Sequence, residues 1–231
     1  MQTKITLSTF FKCICIIISF VIMLPFYIYS QKIRGGLITG FNMTMVDGDQ
    51  LYGYKKIGLN VGLISVVPLA KNFSLNIETI YNQKGSYQRP RFDDSLNGAY
   101  NLKLNYLEVP FYLQYQDNYG GANGGLGLSW GRLVSFSEAE HQKKIPWTKE
   151  TFPYDKSDWN ILADVSFNIK KGWKFNMRYF YSLKYIRIRT FRTGVVRKQY
   201  NTGFTFRIIY IIKEPQKDES KNNNKAYIFD L

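Results

Sequence analysis

Five charged side chains stand singly among small polar residues: Glu78, Glu108, Asp164, Arg178 and Arg207. Each lies in a stretch where apolar and polar residues alternate, so each belongs to the polar face of a β-strand. The stretch Leu104 to Tyr115, LNYLEVPFYLQY, shows the pattern most clearly. There Leu107, Val109, Phe111, Leu113 and Tyr115 share one face, and Tyr106, Glu108, Pro110, Tyr112 and Gln114 the other. Carboxylates and guanidiniums on enclosed polar faces are expected to pair, because an unpaired ion away from water is expensive. The alternative chemistry is proton transfer through paired carboxylates or an ion path. Isolated carboxylates are a weak signal for that, so a structural ion network is the expectation.

Other candidates for chemistry are thin. His141 is the single histidine, and it sits with Ser137 in a polar segment between Glu140 and Lys143, where nothing orients the pair for acyl transfer. No Walker loop, dinucleotide fingerprint, zinc spacing or calcium loop is present; Asp47-Gly48-Asp49 is too short a match to count. No cofactor, metal or catalytic residue is expected. A run from Lys184 to Tyr200 carries Lys184, Arg187, Arg189, Arg192, Arg197 and Lys198 with no acidic residue. It reads either as a solvated basic loop or as a set of contacts to phosphates, for which Arg forks are well shaped.

The elements that must position these residues are strands of alternating hydrophobicity: 37–46, 56–67, 73–87, 104–115, 124–134, 159–170, 173–183 and 201–212. Each spans roughly ten residues, the length a tilted strand needs to cross a bilayer. One face is almost wholly Leu, Ile, Val, Phe, Met, Tyr and Trp; the other is Gly, Ser, Thr and Asn with the isolated charges. Small polar residues suit a narrow lumen, so the bulky face is expected to meet lipid. The connections alternate as well, short after the second, fourth and sixth strands and long after the first, third, fifth and seventh. That plan predicts an all-β fold, an eight-stranded antiparallel up-and-down transmembrane β-barrel with both termini on the short-turn, periplasmic side. Aromatics make up 17% of the chain. Tyr87, Tyr100, Tyr106, Trp130, Trp159 and Tyr181 are expected to form a girdle near the long loops, with Trp173 at the turn end.

Residues 1–30 carry Lys4 and Lys12, an apolar run from Cys13 to Tyr29, and Ser30, the plan of a secretory signal peptide cut before Gln31. Both cysteines, Cys13 and Cys15, would leave with it, so the mature chain, with its barrel over 31–212, is expected to have no thiol chemistry. Residues 213–231 begin KEPQKDESKNNNK and read as a polar periplasmic tail. A formal charge of +14 would point to nucleic acid in the cytosol. In an exported chain it points instead to anionic lipid, lipopolysaccharide or acidic envelope proteins.

The signal peptide, the strand plan, NIETIYNQKGSY (Asn76 to Tyr87) and YLEVPFYLQY (Tyr106 to Tyr115) together resemble the PorT-like family of small outer-membrane β-barrels of Bacteroidota. Lys84-Gly85 and Tyr106-Leu107-Glu108-Val109-Pro110 carry the likeness most specifically. The resemblance implies a non-enzymatic outer-membrane protein of a Gram-negative envelope, an accessory of envelope assembly or of type IX protein secretion. A small-solute channel is the first alternative, and a lipid-modifying enzyme using His141 the second. The tail departs from the family habit of ending at the last strand.

Overall fold

The computed structural model describes residues 33–90, 98–117, 121–141, 143–146, 153–170, 172–191 and 194–212. The expected signal peptide (1–30), Arg192 and the tail (213–231) lie outside the described residues.

The described strands are β1 (Arg34–Asp47), β2 (Lys56–Pro68), β3 (Phe73–Gln88), β4 (Tyr100–Gln116), β5 (Ala122–Glu140), β6 (Lys143–Lys144), β7 (Ser157–Lys170), β8 (Trp173–Ser182), β9 (Arg187–Thr190) and β10 (Val196–Ile211). Strands β1 to β5, β7, β8 and β10 follow one another around a sheet, and β10 pairs back onto β1 from Gly36↔Ile211 to Asp47↔Tyr200. Closure leaves the ring without a free strand edge. The wall is thus the expected eight-stranded antiparallel barrel. Beyond it, β6 extends the hairpin of β5, and β9 pairs with the start of β10.

The two faces separate as the period-two pattern requires. Leu37, Ile57, Leu59, Leu63, Leu113, Leu126, Ile161 and Val165 point outward and are exposed, Leu126 by 69%. Asn42, Asn60, Asn76, Glu78, Ser129, Asn160 and Asn176 point inward and are buried. An apolar exterior this continuous does not suit water; it suits hydrocarbon. Outward aromatics pair near both ends of the wall. Trp130 and Trp159 are neighbours in register and Tyr181 stacks on Tyr200 toward the long loops, while Trp173 packs 4.7 Å from Tyr210 at the short-turn end. Two of the expected girdle residues are placed otherwise. Tyr100 and Tyr106 fall on even, inward positions of β4 and fill the lumen at 7% and 0% exposure.

Three further differences have a common cause. β4 starts at Tyr100 rather than 104, β5 runs to Glu140 rather than 134, and β7 begins before Asp158, which had been assigned to a loop. Past the girdle the outward positions become Asn101, Lys103, Asn105, Ser135 and Ser137, so the apolar half of the alternation vanishes although the ladder continues. A bulge at this level pairs Asn105 with Ser135 but Tyr106 with Leu133, leaving Val134 as the extra residue. The basic run 184–200 likewise is a hairpin, in which β9 pairs Arg189 with Arg197 and Arg187 with Gln199.

Candidate functional site: an ion-paired lumen and its collar

Inside the barrel, charged residues gather at successive levels between apolar layers. The level nearest the short turns is built by register. Arg178 on β8 is paired with Asp164 on β7, so its Nε donates to Oδ2 at 2.8 Å. From there its two terminal nitrogens cross the bore and grip both oxygens of Glu78, at 2.8 and 2.9 Å. Arg207 on β10 donates Nη1 to Glu78 at 2.7 Å, Nη2 to Asp164 at 3.3 Å and Nε to Asn176 at 2.8 Å. Tyr112 donates its hydroxyl to Glu78 at 2.9 Å, and the Arg178 guanidinium lies over the Tyr112 ring. Two carboxylates meet two guanidiniums, so this level is electrically balanced. All four residues are at most 4% exposed, which removes water as a competitor.

A glycine makes room for this arrangement. A Cβ on Gly127 would meet Phe111 O at 2.2 Å and Tyr112 Cβ at 2.4 Å. The bare backbone of β5 lets the Tyr112 ring lie against the wall and reach Glu78.

Four of the five charged residues singled out in the sequence therefore form one cluster. The fifth, Glu108, belongs to the next level. Lys84 Nζ sits 3.0 Å from Glu108 Oε2 and 3.1 Å from Asp158 Oδ2. Ser129 and Asn82 donate to Glu108, and Ser182 and Asn201 donate to Asp158. The Lys84 ammonium is also 4.4 Å from the centre of the Phe180 ring. Lys84 and Asp158 are the partners that sequence reasoning left out of the network. Lys84 was already on the polar face of β3, and one more residue of alternation before Trp159 would have recruited Asp158.

Above a buried apolar layer of Val46, Leu102, Leu104, Tyr106, Leu133 and Ile186 comes a third level, the collar. Glu138 on β5 accepts from Arg187 Nη1 at 3.0 and 3.1 Å, from the Tyr100 hydroxyl at 2.8 Å and from the Tyr154 hydroxyl at 3.1 Å. Arg189 donates to Glu140 at 3.1 Å. Burial, with Glu138 beside it, pushes the Tyr154 phenol well above its usual range. Lower on the rim, the exposed Lys184 binds Asp155, and this hydrogen bond holds the Asp155 carboxyl below the usual range.

The five described basic residues of 184–198 thus separate. Arg187 and Arg189 turn inward to the collar, Lys184 is held by Asp155, and Arg197 and Lys198 are exposed on β10. His141 follows β5 in the left-handed region, and its backbone N–H donates to Ala99 O at 2.8 Å. Among the described residues no hydrogen bond joins its ring to Ser137, and no group of three metal-binding side chains occurs. Chemically, then, the lumen holds its charged side chains paired across the bore, while the buried Gln199 amide and Thr205 hydroxyl have no protein hydrogen-bond partner among the described residues.

Comparison with known proteins agrees with this architecture. Residues 29–186, more than half of the 231, match the family described as outer membrane protein beta-barrel domain. No curated protein sequence matches the chain. Among solved structures, Ail, the attachment invasion locus protein of Yersinia pestis, is 13% identical with a TM-score of 0.45, over 78% of this chain and 98% of that one. Neisserial surface protein A is 10% identical with a TM-score of 0.41, over 77% and 94%. The outer membrane protein AlkL, determined in lipid bilayers, is 15% identical with a TM-score of 0.37, over 80% and 94%.

Proposed function

The chain belongs to the outer membrane protein beta-barrel family, and from that premise we propose that it is a non-enzymatic interaction component of the envelope. One observation carries this reading. Arg178 and Arg207 bridge β8 and β10 to Glu78 on β3 across the bore, so the centre of the barrel is filled by side chains fixed to opposite walls. A barrel so filled offers no aqueous path, and its work falls to the two ends. At the long-loop end the extensions of β4 and β5 and the β9–β10 hairpin raise a pinned collar. Exposed Arg197 and Lys198 there are suited to lipopolysaccharide phosphates.

In this reading the chain is a PorT-like barrel of a Bacteroidota outer membrane. Residues 1–30 export it, both termini face the periplasm, and it assists envelope assembly or type IX secretion. The tail 213–231 offers a periplasmic partner a polar handle. Co-purification from native outer membranes, with and without residues 213–231, is the test. Loss of a specific envelope protein on tail deletion is the expected result; identical sets of co-purified proteins would overturn the role given to the tail. Planar-bilayer recording separates this reading from a solute channel: the filled barrel is expected to give no unitary conductance.

A further inference from the structure

The short-turn mouth of the lumen differs from the levels above it. A cavity of about 350 Å³ opens there, lined by Arg34, Lys170, Lys174, Trp173 and Ile212 among others, and among the described residues none that lines it is acidic. Arg34 begins β1, Lys170 ends β7 and Lys174 is the second residue of β8, so three strand ends deliver three positive charges to one opening. Lys174 shares the inward parity of Asn176 and Arg178 and is half-buried. Arg34 and Lys170 are exposed at the same opening. The carboxylate that attracts Lys174, Asp164, is already held by Arg178 at 2.8 Å and Arg207 at 3.3 Å.

At the Glu78 level each charge meets its opposite; at this mouth like charges converge on open space. An anion seated there would offset the mutual repulsion and replace the hydration that half-buried Lys174 gives up. We propose that the short-turn mouth is an anion site that takes a phosphate group. Donors approach from three strand ends, which suits a tetrahedral oxyanion better than a planar carboxylate. Arg34 supplies a fork and the two lysines point charges. Trp173, exposed by 46%, and Ile212, exposed by 52%, flank the site with the amphipathic and apolar surface of a membrane boundary. The phosphate therefore comes from a phospholipid headgroup or from free phosphate in the adjoining compartment.

The test uses the mature chain refolded in a phosphate-free maltoside. Inorganic phosphate is titrated and followed by phosphorus NMR line broadening. Separately, phosphatidylglycerol and phosphate-free diacylglycerol are offered, and retained lipid is counted by native mass spectrometry. The wild-type barrel is expected to bind a phosphate-bearing probe and not diacylglycerol, and the Arg34→Gln/Lys174→Met variant to bind it about tenfold more weakly. Phosphatidylglycerol without inorganic phosphate assigns the site to the headgroup; binding of inorganic phosphate assigns it to a soluble source. Equal binding by wild type and variant, or no binding by wild type, overturns the proposal. Heat-modifiable gel mobility monitors folding. Arg34→Gln alone, at an exposed position, serves with the same expected direction should the double variant not refold.

Discussion

The Glu78 level and the Glu138 collar use the same chemistry in different surroundings. Each has a carboxylate approached by arginines and phenolic hydroxyls. At Glu78 the arginines rise from the wall strands β8 and β10 and lie at most 4% exposed. At Glu138, Arg187 and Arg189 come from the four-residue β9, with side chains 10% and 19% exposed. Once two charges are sealed from water, removing one strands the other; the Glu138 carboxylate is just as buried, but its arginines reach water, which can take the place of that carboxylate when it is removed. The inner level therefore fastens the wall, and the collar fastens only the hairpin above it.

The largest effect that would sharpen this contrast is expected at the inner level. Arg207→Met leaves Glu78 and Asp164 with one guanidinium between them. It should lower stability by about 3–5 kcal/mol, the usual cost of breaking a buried pair, read from urea unfolding in lipid vesicles. The Arg207→Met/Glu78→Leu double variant should recover part of that loss, since it removes the stranded charge too. Gly127→Val comes next. Its Cβ meets backbone and Tyr112 at under 2.5 Å, and the displaced ring should cost about 1–3 kcal/mol as overpacking does, with the hydroxyl bond to Glu78 lost.

Glu138→Gln should cost about 1 kcal/mol and mainly loosen β9, visible as faster amide exchange in 187–190 and an unchanged wall. An effect as large as that of Arg207→Met would break the comparison, because the collar would then be holding the barrel together.

The smallest effects are pH-dependent and lie on the rim. Lys184 depresses the Asp155 carboxyl in the fold, so its stabilisation is complete above the ordinary carboxylate range and fades as pH falls through the lowered value. Burial shifts Asp49 the other way: its folded pKa is raised, so its ionised form weighs against the fold at neutral pH. Asp155→Asn should remove a small stability gain at pH 7, and Asp49→Asn should add one, while both effects shrink toward pH 2. Unfolding midpoints at the two pH values give both signs.

How far these regions could be read from the chain follows from where lipid stops. Within the hydrocarbon the outward face is apolar without exception in stretches such as Leu107 to Tyr115, so the strands, their faces and the inward place of Glu78, Asp164, Arg178 and Arg207 follow from period two alone. Which charges meet does not. Glu78 lies 100 residues from Arg178 and 129 from Arg207 in sequence, and only closure of β10 on β1 brings them to one level. Beyond the girdle both faces turn polar, and the signal fades although the ladder persists. Period two therefore stops short of Asp158 and Tyr100, puts Tyr100 and Tyr106 in the girdle, and leaves Arg187 and Arg189 either in a solvated loop or on phosphates.

Single cysteines placed in turn from Leu107 to Tyr115 on β4, in the segment from residue 31 onward, which carries no cysteine of its own, put the central claim to its most direct test. Each is labelled with a fluorophore and challenged with brominated lipid. Strong quenching at 107, 109, 111, 113 and 115, and weak quenching at 106, 108, 110, 112 and 114, is the expected outcome. Uniform quenching, or the strong set appearing at the even positions, would contradict a lipid-wetted wall around an ion-filled lumen.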